Sequence, residues 1–473
     1  AAGCAISEKM RAQIRGLSQA QNNTADGVSV LNTAEGAITE IQSMLTRLKE
    51  LSVQAANDVN SDDEREAIQK EIEQINNEID RISDQTEFNT QSLINGNLSR
   101  RVYSDLQGVN QLSVSDSYTA GVYGITVTED ARQAIAVGAG SITMSSTASI
   151  TEEQAGAINI NGYKISISEG DTLDKVMGKI IDGVNITGGS AFTVKDLNND
   201  TAANGTDYAG YVPTADYAGS TLVIMTNQYG SDQKMNITCD NAELADILGI
   251  PQAATQDGIY VEGSDVKAEI ATGDDGKRIG FADSAILSTK GTVITVTDVN
   301  NKEFSMDVPG NAAGTVFDDS NNDGQSAAGA GTARTISQEV TDVGTMSIHV
   351  GANQDQVIVI DIPAITTYSL GTEHMNVMTQ YTASRAISTV DEAINKTNKI
   401  RSRIGAYENR FDHTTNNLEV SSENLTKSLS TMIDTDMSEE MTTYTSETVL
   451  TQAATSILAQ ANERPSQVLQ LLQ

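Results

Sequence analysis

From Val390 onward one position recurs every seven residues: Val390, Thr397, Ile404, Phe411, Leu418, Leu425 and Met432. Six of the seven are apolar, which is the seam of a long helix packed lengthwise on other helices. The N-terminal end carries a matching stripe, Leu31, Ala34, Ile38, Ile41, Leu45 and Leu48, in steps of three and four. The pattern predicts a first helix over residues 1–57. Gly16, Gly27 and Gly36 weaken it by about 1 kcal/mol each relative to Ala, so it needs a lengthwise partner. Ser61-Asp62-Asp63-Glu64 reads as a capping box opening a second helix. That helix runs to about Asp84 with Ile68, Ile72, Ile75, Ile79 and Ile82 on one face, before a turn at Asn95-Gly96. Helix resumes near Glu373 and runs to Ile433, and a last helix covers 437–472, where Pro465 is expected to kink or interrupt it.

Between these ends the period changes. From 101 to 345, Gly, Ser, Thr, Asn and Asp dominate, and short alternating apolar runs replace the helical repeat. Ala157–Ile160, Asn161-Gly162 and Tyr163–Ile167 form a hairpin signal, because Asn-Gly suits a type I′ turn. Further strands are predicted at 191–197, 220–226, 234–239, 292–298 and 303–308. Short helices follow after Asp171 (Leu173, Val176, Ile180) and at 243–248, the latter stopped by Gly249 and Pro251. Residues 311–333 read as a flexible loop. Strand pattern returns at 346–362, with a turn near Gly351-Ala352-Asn353.

Composition narrows the function. Asp and Glu number 64 against 30 Lys and Arg, a net charge of −34, which argues against nucleic acid and against anionic membranes. No apolar run approaches the ~20 residues that span a bilayer. Aromatics are 4% and Trp is absent, so the core rests on Ile, Leu, Val, Met and Ala. Cys4 and Cys239 form no disulfide framework, and buried free thiols are the simpler reading. The opening Ala1-Ala2-Gly3-Cys4 lacks a signal-peptide pattern and runs straight into helical periodicity, as a piece of a longer protein would.

Candidate chemistry is sparse. His349, His374 and His413 have no partner at ligand spacing, and no zincin, nucleophile-elbow, Walker or dinucleotide motif stands in its required context. Asp319-Ser320-Asn321-Asn322-Asp323-Gly324 begins like a calcium loop, but Ala330 stands where the bidentate Glu belongs, so it reads as a solvated turn. No cofactor, metal or catalytic residue is expected. One surface is distinctive. At about 100° per residue, Arg47 and Leu51 lie one turn apart and off the apolar stripe, predicting an exposed Leu beside an exposed cation, and Glu71 flanks the Ile stripe of the second helix. The residues alone leave two readings, an ordinary solvated surface or a contact site.

The two ends closely resemble bacterial flagellin. At the N-terminal side the likeness is carried by Ala5-Ile6-Ser7-Glu8-Lys9-Met10-Arg11, Gln13-Ile14-Arg15-Gly16-Leu17, Thr33-Ala34-Glu35-Gly36-Ala37, Glu50–Ala56, Asn77–Ile82 and Thr86-Glu87-Phe88-Asn89. At the C-terminal side it is carried by Ser402–Ala406, Asn409-Arg410-Phe411, Asn416-Asn417-Leu418, Asn424-Leu425, Asp434–Met437, Leu458–Asn462 and Val468–Leu472. Gly156 to Ile250 also resembles a small β-rich module found within some flagellins and filament-associated proteins.

The resemblance implies a filament subunit that self-assembles into a helical tube for motility, is secreted by the flagellar export apparatus and becomes extracellular. The implied partners are other flagellin subunits, an export chaperone, the cap protein and the flagellin-sensing Toll-like receptor of animal hosts. The receptor-contacting Arg, Leu and Glu of the family fall on Arg47, Leu51 and Glu71. The polymerisation surface falls on Met437, Met441, Leu450, Ile457, Leu458, Val468, Leu469 and Leu472.

Three departures from the family pattern stand out. The family's helical segment before the position of Ala1 is absent, so 437–472 is expected to lack an intramolecular partner, to be mobile in the lone subunit and to assemble poorly. The Gly351-Ala352-Asn353 motif follows the insert instead of preceding it, and Cys4 replaces the usual Leu.

The expected fold is α+β: a long antiparallel helical, coiled-coil rod made by both chain ends, with a β-rich inserted variable domain. The expected divisions are 1–110 and 341–432 for the helical core, 111–340 for the insert (its module at 156–250), and 433–473 for the terminal helix of the inner filament core. The alternatives are a hook–filament junction protein, whose terminal motifs match less closely, and an enzyme carried in the insert, which would need a convergent polar pocket with perturbed titratable groups.

Overall fold

A computed structural model describes residues 2–115, 118–194, 217–250, 258–273, 276–299, 302–310, 317–318, 327–328, 333–434 and 437–471. Seven α-helices are used below: α1 Ala2–Ala55, α2 Asp62–Gln85, α3 Leu173–Ile186, α4 Ala242–Leu248, α5 Thr367–Leu370, α6 Gln380–Ile433 and α7 Met437–Leu471. The fold is α+β, with helices at both ends and antiparallel sheets between them. The chain divides into two compact units, 1–27 with 348–358 and 409–473, and 28–347 with 359–408; the division falls within α1 and α6.

In the larger unit the predicted seam is present. Leu31, Ala34, Ile38, Ile41, Leu45 and Leu48 are all fully buried, as are Val390 and Thr397 of α6. The two helices run antiparallel, fixed at their polar edge by Glu35 with Arg401 (2.6 Å), Gln42 with Asn398 (2.9 Å) and Lys49 with Asp391 (2.6 Å). The capping box at Ser61 and Glu64 forms as predicted, starting α2 back along α1. Arg65 ties the return by donating to the carbonyls of Ala55 (3.1 Å) and Asn57 (3.2 Å). α6 starts at Gln380, later than the expected Glu373. Gly371 takes φ +83° to end α5, and Thr379 with Thr382 caps the new helix.

Two β-rich bodies follow. One packs the sheet 267–270, 121–129, 334–340, 102–104 against the sheet 286–290, 293–297, 303–307, 110–114. Its core holds Ile125, Ile294, Phe304 and Ile336, with Tyr118, Tyr123 and Phe281 meeting Phe304 at ring distances of 5.6–6.0 Å. The other body is inserted into the first. Its ends cross as one antiparallel bridge, Arg132 with Ser264, at 2.8 and 3.1 Å. It combines a four-stranded sheet (259–262, 234–239, 156–160, 163–167), a three-stranded sheet (135–141, 221–226, 189–194) and helices α3 and α4 around a shared core that includes Ile158, Leu173, Ile180, Ile237 and Leu248. The Asn161-Gly162 turn has φ +51° and +89°, the type I′ values its sequence predicted.

The smaller unit contains both ends of the chain. Phe411 and Leu418 are buried, and a Cβ on Gly27 would stand 3.0 Å from the Phe411 ring, so Gly there allows the close approach. The tip of the hairpin 346–349/357–360 reaches α1, where Ala352 lies against Gly16. The expected seam fades at its end: Leu425 is half-buried and Met432 is 50% exposed. α7 runs as one helix through Pro465, so the residue does not interrupt it. On an exposed helix the carbonyl that loses its bond to the missing N–H can turn to water.

Candidate interaction surfaces

The structure brings Arg47 and Glu71 together on adjacent helices. Arg47 donates from Nη2 (2.8 Å) and Nε (3.0 Å) to Glu71 Oε1, and from Nη1 to Glu50 Oε2 (3.2 Å). Both partners of the Arg47–Glu71 pair are about half exposed, with side chains at 49% and 45%. The bonds to Glu71 and then Glu50 raise the guanidinium above its ordinary pKa. Glu50 was missed as a partner, although its spacing of three from Arg47 is a sequence signal for an ion pair.

Leu51 corrects the sequence reading. It is 1% exposed, not an exposed apolar residue beside the cation. The helical phase placed it off the stripe that faces α6, but α2 returns along that side, as the Arg47–Glu71 and Arg65–Ala55 bonds record. Leu51 is therefore part of the buried helical core.

The terminal helix behaves in the opposite way. Met437, Met441, Leu450, Ile457, Leu458, Val468 and Leu469 are 51–67% exposed, together with Tyr444 and Val449. Leu472 lies outside the described residues. At 3.6 residues per turn these side chains spread around much of the helix: Met437, Met441, Tyr444, Leu458 and Leu469 lie within about 100° of one another, Leu450, Ile457 and Val468 follow on one side of them, and Val449 stands apart.

Other candidates are quickly placed. Cys239 is a buried free thiol whose Sγ lies 3.2 Å from the Asn241 carbonyl, and burial pushes its pKa up; the side chain of Cys4 lies outside the described residues. The 319–324 turn also lies outside them. Among the described residues no group of His, Cys, Asp and Glu could hold a metal ion, and no helix is long and apolar enough to cross a membrane.

Long heptad-patterned helices at both ends, with a broad apolar surface left uncovered, define a self-associating structural protein. Family models agree at both ends: the bacterial flagellin N-terminal helical region matches residues 1–99, and the C-terminal helical region matches 387–472. A flagellin of Salmonella typhimurium is 30% identical over 497 positions, covering 100% of this chain and 91% of that protein. A flagellin of Clostridium tyrobutyricum is 27% identical, covering 98% and 88%. Among solved structures, the flagellar cap protein of Escherichia coli is similar over 65% of this chain and 64% of its own, at 12% identity and a TM-score of 0.29, too low to bear on the fold. The chain belongs to the bacterial flagellin family. It is a structural subunit of the flagellar filament, a component of the bacterial flagellum.

Proposed function

We propose that subunits of this filament join through α7, using Met437, Met441, Leu450, Ile457, Leu458, Val468, Leu469 and the adjoining Leu472. The supporting observation is the concentration of exposed large apolar side chains between Met432 and Leu469, on a helix otherwise faced with Thr, Ser and Gln. Each Leu, Ile, Val or Met covered on assembly is worth about 1.5–3 kcal/mol, enough to drive association when several act together. Apolar side chains spread over more than half of the helix circumference are too wide for one straight seam, so neighbouring copies cover the helix from more than one side.

The proposal extends to the life of the subunit. It leaves the cell through the flagellar export apparatus with a dedicated chaperone and adds to the filament beneath the cap protein. Outside the cell, the flagellin-sensing Toll-like receptor of an animal host contacts it at Arg47 and Glu71. Leu51 supports that contact from within the buried helical core. Arg47 offers forked donors and Glu71 an acceptor, the kind of central charged pair whose truncation often dominates an interface. Surface plasmon resonance on the receptor ectodomain tests the contact: Arg47→Ala is expected to weaken binding at least about tenfold. Unchanged affinity would return this pair to an ordinary solvated surface.

A further inference from the structure

A cavity of about 70 Å³ lies within the larger unit, where strands 110–114 and 303–307 meet the segment 363–370 and α6. Its lining is of two kinds. Leu112, Pro363, Ala364, Leu370 and Ile400 are apolar. Lys396, Lys399 and Arg403 are cationic, and their spacing of three and four keeps them on one face of α6. Glu303 is the one carboxylate among the lining residues.

The charges at this cavity do not cancel. Glu303 accepts from Lys399 (3.0 Å), and the buried Asp361, outside the lining, meets Arg403 (3.4 Å). Three cations against these two carboxylates leave one positive charge over. It falls on Lys396, whose Nζ donates to the neutral carbonyl of Ser369 (3.0 Å). Lys396 keeps some solvent contact, yet desolvation is the largest influence on its ammonium. The ammonium lies below its ordinary pKa, because the pull of Glu392 and Glu303 does not offset that desolvation. In a chain of net charge −34 an under-compensated cation is an exception, and an anion in the cavity would supply the missing charge. The volume has room for a few heavy atoms, since one water takes about 30 Å³ of liquid. Apolar walls beside a surplus cation favour an anion with a short hydrocarbon part over a bare inorganic one.

We propose that this cavity binds a small monocarboxylate of the size of propionate. An ammonium has three donors, so Lys396 can keep its bond to Ser369 and give a charge-assisted one to a ligand oxygen. The hydrocarbon end can then lie against Leu112 and Leu370, and the ligand joins the strands of the β-rich body to α6.

The test is isothermal titration of the full chain with sodium propionate, with propionamide and with sodium sulfate, each to about 50 mM at one fixed ionic strength. Propionamide has the same shape without the charge, and sulfate has charge without a hydrocarbon part. Saturable binding of propionate is expected, at least about threefold tighter than that of either control, and weakened at least about threefold by both Lys396→Met and Lys399→Met. The Lys399 side chain is 67% exposed, so its variant keeps the fold, which circular dichroism checks. Four outcomes would each overturn the proposal: no saturable heat from propionate, equal binding of propionamide, equal or stronger binding of sulfate, or an affinity unchanged in either folded variant.

Discussion

Helices α6 and α7 follow one another in the chain and draw on similar residues, yet they meet opposite fates. In α6, Val390, Thr397, Ile404 and Phe411 are at most 1% exposed. In α7, the described apolar residues among those proposed for assembly are at least 51% exposed. The difference lies in the pattern. α6 repeats one position every seven residues, apolar except at Thr397, so its stripe stays under one set of partners in its own chain. α7 spreads its large apolar side chains over more than half of its circumference, and none of those described is buried. A narrow stripe is covered within the chain, whereas the broad one stays exposed.

Breaking α7 gives the largest expected effect. The double substitution Leu458→Asp with Leu469→Asp is expected to abolish filaments seen by electron microscopy, when it is expressed in a flagellated host lacking its own flagellin. The melting temperature of the isolated chain should not move, since both side chains are exposed. Filaments of normal length would sink the assignment of this helix to assembly.

Breaking the buried side should do the reverse. Leu51→Ala removes a fully buried side chain between packed helices and is expected to cost about 2–5 kcal/mol in denaturant unfolding. A loss below about 0.5 kcal/mol would mean that Leu51 is not part of the core.

Much of this contrast was legible in the sequence. The stripe from Leu31 to Leu48 and the Ser61–Glu64 box repeat strong local rules and appear as predicted. So does the Asn161-Gly162 turn, because its backbone angles suit few other residue pairs. Leu51 was misplaced because a helical phase names one face and cannot show that a second helix covers the next. The strands at 121–129, 267–270, 286–290 and 334–340 went unread. They are rich in Thr, Ser, Gly and charged residues, and at the sheet edges 267–270 and 286–290 the alternation is only between exposed and half-buried positions.

A smaller effect is expected inside the β module. Asp171 is nearly buried and accepts from Lys175 (2.7 Å), Lys179 (2.6 Å) and the Ser168 N–H (3.0 Å), with the two lysines named first among the causes that hold its pKa well below the usual carboxylate range. A depressed folded pKa contributes stability that is complete above the unfolded value of about 4 and is lost as pH falls through the folded one. Asp171→Asn should therefore lower the stability of the module at pH 7, and the gap from the native chain should narrow as pH falls below about 4. A gap that stays constant with pH would show that the lysines add nothing through charge.

The smallest effect on stability belongs to the pair at the surface. Arg47→Ala and Glu71→Ala each remove an ion pair that water and salt already screen, and neither leaves a buried charge behind, because both side chains are about half exposed. Melting curves at physiological salt should overlay that of the native chain. This near-silence in folding sets Arg47 apart from Leu51, four residues away on the same helix and fully buried. A clear drop in melting temperature for Arg47→Ala would mean that the pair helps to hold α2 onto α1. In that case a loss of receptor affinity in the same variant would report a displaced helix and not a lost contact, and Glu71→Gln, which keeps an acceptor while removing the charge, would separate the two.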